Sequence, residues 1–426
     1  MKKLLLIGIL CLSLFSRANC VNQTASKTGT ITVKTEVFNP EVATQKYLDM
    51  LTPDEKKKSD SYFEGGYWLM LWNMLMEFGV AWVFLSMGLS QWIRKIASKA
   101  KNINLQNLIY IGFYFLFAYL ISFPLNLYQN FFREHKYNLS NLTFGGWMGE
   151  EIKGLLLTII FGALILMLIY IAIRKVKQNW WIWASGIAIL FVIFSLFIGP
   201  IFISPLFNKY KPLEEGQLKN EILSIARANG VPADNVYEFD ASKQSNKISA
   251  NVSGFGSTAR ISLNDNLINR STPAEVKAVM AHEIGHYVLN HIYKGIIMLI
   301  FVIVIGFALV NWALKKAVLK WGKKWKITDI SDIVSLPLFV LLFTLFMFFA
   351  RPVFNNISRT TEIEADYFGF NAAQEPDAFS EAIMKLSEYR KINPGPWEEI
   401  IFYDHPSGRT RIHNAMVWKA EHLDKK

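Results

Sequence analysis

At 426 residues the chain could hold two or three soluble domains, but 52% of its residues are hydrophobic and 14% aromatic, which excludes that class. Its net charge of +11 does not mark a nucleic-acid binder, because the basic residues form no single stripe with interleaved aromatics. The only cysteines, Cys11 and Cys20, leave the body of the chain without a disulfide or a cysteine–metal site.

From the start of the chain, residues 1–18 read as a signal peptide or signal anchor: two lysines, an apolar stretch from Leu4 to Phe15, then Ser16-Arg17-Ala18. Residues 19–66 form a polar segment. Apolar runs near 68–90, 108–128, 153–174 and 180–203 are each long enough to span a bilayer core, so 67–203 reads as a four-helix membrane region. Trp180, Trp181 and Trp183 sit where an interfacial aromatic belt would lie. Basic residues cluster between spans at Arg94 to Lys101, Arg174 to Lys177 and Lys315 to Lys326, which by the positive-inside rule places those loops in the cytoplasm.

Residues 204–292 form the first sizeable stretch outside the membrane. Leu218, Ile222 and Ile225 recur at helical spacing in a segment ending at Gly230, and residues 247–263 read as a strand hairpin around Gly-Phe-Gly-Ser. Thr272-Pro273-Ala274-Glu275 has the form of a capping box and marks the start of a further helix. Two more apolar runs, 293–316 and 332–354, make a transmembrane hairpin over 293–354, with Pro352 expected to close it. Residues 355–426 return as a polar, mostly helical segment.

The helix opened by Thr272 carries H-E-x-x-H. His282 and His286 lie one turn apart on one face, so both imidazoles can reach a single Zn2+. Glu283 is placed beside them to take a proton from water. A third ligand has to come from another element at the same membrane face. His286 precedes the span at 293 by about the same length as Glu362 follows the one ending at 354, roughly 10–12 Å of helix in each case. Glu362 and Asp366 share a helical face; Glu362 is the expected ligand and Asp366 the acceptor that orients one of the histidines. Glu364 lies opposite and reads as solvated. By pattern alone "FYDHPSGRTRI" reads first as an ordinary basic loop; the alternative is that its His405 and Arg411 are donors to the substrate carbonyl or tetrahedral intermediate, or ion-pair partners of Asp366 or Glu362. His291 reads as structural, and Gly285 as a position of close packing or of access near the metal.

The chain resembles the CAAX prenyl protease 1 family. "AHEIGHYVLNH", "SRTTEIEADYFGF" and "DHPSGRTRI" occur in order, with "ISPLFNKYKPLEEGQL", "FDASKQSN", "GSTARISLNDNL" and "ISFPLNLYQNFFREHKYNLSNLTF" upstream, together covering most of 60–415. The resemblance implies a predominantly α polytopic membrane protein, its helices around a chamber, with a small α+β zincin-type catalytic domain. The helices number six, or seven if the signal is retained. It carries the zinc ligands onto His282, His286 and Glu362, the catalytic glutamate onto Glu283, and the supporting aspartate, histidine and arginine onto Asp366, His405 and Arg411. It implies one zinc ion per chain, surrounding membrane lipid, and peptide or protein substrates that include isoprenylated CAAX proteins. Some members act in membrane-protein quality control, an alternative role for this chain. A non-catalytic scaffold with a structural zinc is the remote one, suggested by Glu77 inside the first span. Two features depart from the family. Its Asn-Ala pair at the substrate strand is replaced by Ser249-Ala250-Asn251, and its first membrane helix by the signal-like segment. The basic loops put the zinc site on the non-cytoplasmic face, whereas the resemblance implies the cytosolic one.

Overall fold

The computed structural model describes residues 38–254 and 259–422; the expected signal at 1–18 and the turn of the hairpin lie outside them. Helix α1 (Pro40–Leu48) starts at Asn39, whose side chain accepts the free amides of Glu41 and Val42. Helix α2 (Pro53–Ser86) starts on a capping box between Thr52 and Glu55, with Pro53 in the first turn. This cap draws the polar stretch before residue 67 into the first membrane helix, so the boundary expected there is not a break in structure. Gly88, at φ 87°, turns the chain into α3 (Leu89–Ala97). Then come α4 (Ile103–Leu127), α5 (Phe144–Val176) and α6 (Trp180–Ile198).

Among the described residues five helical stretches are long and apolar enough to cross a membrane, and one of them, Phe144–Phe207, is 64 residues long. As one straight helix it would measure about 96 Å, three times a bilayer core. Instead it reverses at Lys177, where φ is 57°, and α5 and α6 pack side by side. With that stretch counted as the two crossings it contains, the described residues hold the six helices that the apolar runs at 68–354 predict.

The remaining two are α10 (His291–Trp325) and α11 (Leu336–Ala373). Pro352 does not close the last span: it lies inside α11, which continues for 21 more residues to Ala373. A proline removes one backbone hydrogen bond, and neighbouring helices compensate for it in membrane bundles. Beyond Pro352, α11 carries Arg359, Glu362 and Asp366, and it packs on the H-E-x-x-H helix and on the C-terminal helices.

The basic loops meet at one end of this bundle. Arg94 pairs with Asp332 at 2.9 Å, Gln91 donates to the Trp325 carbonyl at 3.1 Å, and Arg174 donates to Asn104 at 2.7 Å. The tightest packing is at that end, around Phe84, Ile93, Tyr110, Tyr170, Trp180 and Leu314. Toward the other end α2, α4 and α11 part around a cavity of about 610 Å³, lined by Asn73, Glu77, Tyr119, Asn126, Gln129 and Arg351 among methionines.

At that open end the chain builds a four-stranded sheet. Its strands are β1 (Tyr210–Pro212), β2 (Val236–Phe239), β3 (Ala250–Ser253) and β4 (Arg260–Asn264), in the order β1-β2-β4-β3. The expected hairpin is the antiparallel pair β3–β4, with Ala250 opposite Leu263, while β2 runs parallel to β4. Helix α7 (Gln217–Ala228) precedes β2, and Gly230 after it has φ 73°, a left-handed position that suits glycine. A short α8 (Asp265–Arg270) leads into α9 (Pro273–Val288). One apolar core joins Ile222, Val236, Ile261 and Leu263 to Val276, Met280 and Ile284 of α9. The chain ends in α12 (Pro376–Leu386), α13 (Pro396–Phe402) and α14 (Gly408–His422).

Candidate active site

Helix α9 starts where the sequence places it: Thr272 accepts from the Glu275 amide at 3.3 Å and Glu275 from the Thr272 amide at 2.9 Å. It does not run on into the membrane helix. Asn290 takes a left-handed conformation at φ 58°, and α10 starts afresh at His291.

Helix α9 lies close along the polar end of α11, and two glycines allow this. A Cβ on Gly285 would come within 2.9 Å of the Phe368 ring, and one on Gly369 within 3.1 Å of the His282 backbone nitrogen. Gly285 is therefore a close-packing position; Gly369, its counterpart on α11, carries no signal in the sequence that singles it out.

The close approach brings three side chains to one point. His286 Nε2 lies 3.1 Å from His282 Nε2, His282 Nε2 lies 3.3 Å from Glu362 Oε2, and His286 Nε2 lies 3.4 Å from Glu362 Oε1. Ligands held at 2.0–2.1 Å by a tetrahedral metal ion such as zinc are about 3.3 Å apart, so these separations are of the size that such an ion could bridge. Glu362 Oε2 is buried and has no hydrogen bond, which suits an atom that faces a metal. Among the described residues this is the group of histidines and carboxylates whose donor atoms converge in this way.

The outer partners are also in place. Asp366, fully buried, holds His282 Nδ1 at 2.8 Å. Arg411 of α14 grips the same carboxylate through two nitrogens, Nε at 2.9 Å and Nη2 at 2.5 Å. Of the two roles left open for Arg411, the geometry shows the ion pair with Asp366. His405 places Nε2 at 3.4 Å from Glu362 Oε1 and Nδ1 at 2.8 Å from Asp404.

Glu283 opens onto a pocket of about 220 Å³ together with His282, His405 and Arg411, above an apolar floor of Leu267, Val279, Phe379 and Ile383. Burial raises its pKa above the ordinary carboxylate value, against the pull of His282 and His286. For His282 burial works against the charge, but the carboxylates of Asp366 and Glu362 outweigh it and raise the pKa from 6.5 to about 9. Burial likewise opposes the charge on Arg411, and Asp366 overcomes it and holds the guanidinium protonated.

Strand β3 is at the edge of the sheet, and Ser249 and Ala250 form part of the pocket wall. An extended peptide can therefore pair with its free side and lie across Glu283.

Some of the supporting residues carry no motif. Arg359 of α11 is buried and donates to the carbonyls of Tyr403 (2.5 Å) and Glu399 (2.8 Å), while Asn355 donates to that of Ile401 at 2.8 Å. Together they pin the segment that presents His405. The one sign of this in the sequence is an arginine, Arg359, only five residues past the apolar run that ends near 354.

The profile of peptidase family M48 matches residues 212–419, and that of the CAAX prenyl protease N-terminal region, described as five membrane helices, matches 36–209. An uncharacterized metalloprotease of Bacillus subtilis, YhfN, is 28% identical over 370 residues, 86% of each chain. CAAX prenyl protease 1 of Saccharomyces cerevisiae is 30% identical over 323 residues, 72% of this chain and 71% of that one. The crystal structure of S. mikatae Ste24p superposes with a TM-score of 0.73 at 26% identity, covering 88% of this chain and 95% of that one. With the apolar bundle and the converging His, His and Glu, these likenesses identify a multi-pass membrane metalloprotease of peptidase family M48, and the chain belongs to the CAAX prenyl protease 1 family.

Proposed function

We propose that the protein is a zinc endopeptidase that cleaves membrane-associated protein segments, C-terminal CAAX-type prenylated ones among them. The observation that carries this reading is the tetrahedral spacing of His282, His286 and Glu362 at the mouth of a pocket that also holds Glu283 and the β3 edge. When bound, zinc supplies Lewis-acid activation of water and of the scissile carbonyl.

The chain's own residues do the rest. Strand β3 aligns the peptide through main-chain hydrogen bonds, and the apolar floor receives a side chain on one side of the scissile bond. Glu283 accepts the proton of the attacking water and passes it to the leaving amine; its raised pKa makes it a stronger base than an exposed carboxylate. His405, partly open to the pocket, donates to the developing oxyanion. Asp366 and Arg411 hold His282 in its ligating tautomer.

A second reading, quality-control proteolysis without prenyl specificity, is favoured by the basic loops, which collect at the end of the bundle away from the site. The two are separated by assaying purified protein on a farnesylated CAAX peptide and on its unprenylated form. Cleavage of the farnesylated peptide alone, abolished by chelator and restored by zinc, supports the first reading. Equal cleavage of both supports the second, and no chelator-sensitive cleavage of either rules out both.

A further inference from the structure

We infer that His291, backed by Glu364, is a positioning residue that fixes the tautomer and ring orientation of His286, as Asp366 does for His282. The inference rests on the zinc reading above and assigns two residues that the mechanism has not used.

The protons can be placed in only one way. His286 turns Nε2 toward His282 and Glu362, at 3.1 and 3.4 Å. As a ligand it therefore carries its proton on Nδ1, and that nitrogen lies 2.9 Å from His291 Nδ1. His291 Nδ1 must accept, which leaves the His291 proton on Nε2, where it is donated to Glu364 Oε2 at 3.0 Å. Lys294 donates to the same oxygen at 2.6 Å. A line of donors and acceptors thus runs from the ammonium and carboxylate on the rim to the ligating imidazole, and every ring nitrogen in it has a role.

The backbone is built to make this contact. On an uninterrupted helix His291 would sit about 140° around the axis from His286 and could not reach it. The left-handed Asn290, at φ 58°, breaks the helix and lets the His291 ring return beneath His286; asparagine is among the few residues that adopt this conformation readily. The His291 side chain is 5% exposed and that of Glu364 43%, so the contact with His286 is sheltered while its anchor stays in solvent. The His286 side chain is 25% exposed against 7% for His282, so of the two ligating rings it is the less confined by packing.

The test is zinc affinity, measured on the full chain in detergent by competition with a chromophoric chelator, with melting of the chelated protein recorded in parallel. His291→Ala is expected to weaken zinc binding about 10- to 100-fold, the usual effect of losing such a partner. His291→Gln, which keeps an acceptor and a donor at similar reach, is expected to recover most of the loss. Glu364→Ala, on the rim where folding is not at stake, is expected to cost several-fold. A merely structural role would lower the melting temperature and leave the affinity unchanged. Wild-type affinity in His291→Ala or Glu364→Ala, or equal losses in His291→Ala and His291→Gln, would overturn the inference. Failure of the wild type to bind zinc would overturn the reading of the site itself, and this inference with it.

Discussion

At the scale of single residues, the site depends on groups that are costly to bury and are paired for that reason. The Asp366 carboxylate, 0% exposed, is held between Arg411 and His282. Arg411→Met strands that carboxylate, and breaking a buried pair from one side costs about 3–5 kcal/mol. Thermal unfolding of this variant is expected to show a clear loss of stability, with zinc affinity down at least about 10-fold. A second prediction concerns pH. The raised pKa of His282, from 6.5 to about 9, means that its charge contributes stability present below pH 6.5 and lost as pH rises through 9. Zinc has to displace that proton, so apparent zinc affinity is expected to climb with pH up to about 9 and then level off, as read by metal titration at a series of pH values. The two histidines and Glu283 are legible in the sequence because a helix alone sets their geometry. The pairing of His291 with His286 is not, because it depends on a left-handed turn at Asn290 that helical spacing argues against.

At the scale of elements, the decisive contact is α9 against α11. Glu362 and Asp366 are legible as a pair from their i, i+4 spacing and from a hairpin that returns the chain to the same membrane face. The closeness of the two helices is not, because it rests on the absence of a side chain at Gly369 and Gly285. Gly369→Ala sets a methyl against the His282 backbone, which cannot move without carrying the ligand away from Glu362. The expected cost is about 1–3 kcal/mol, with a loss of zinc content. Gly285→Ala meets a phenylalanine ring that can turn aside, and it is expected to be the milder of the two. Melting curves and metal analysis of both variants check the order. Pro352 shows the opposite limit of sequence reading: a strong local signal to stop is overridden because the helix beyond it packs against the H-E-x-x-H helix and the C-terminal segment.

At the scale of the whole molecule, the membrane bundle is tight where the basic loops meet and open where the sheet and the converging ligands lie. Hydropathy alone shows the six helices. The polar cavity between α2, α4 and α11 was not legible, because Glu77, Asn73 and Gln129 become neighbours only once the helices are packed. The candidate site and its pocket lie in the segments that follow the membrane helices, beside Glu283, and the polar cavity is a separate space between α2, α4 and α11. The proposed hydrolysis rests on Glu283 as the proton acceptor of the site. The direct measurement is peptide cleavage and zinc content of purified Glu283→Gln beside the wild type. One zinc is expected in both, with cleavage reduced about 100- to 10,000-fold in the variant. Cleavage by the variant at a rate near that of the wild type, with its zinc retained, would contradict it.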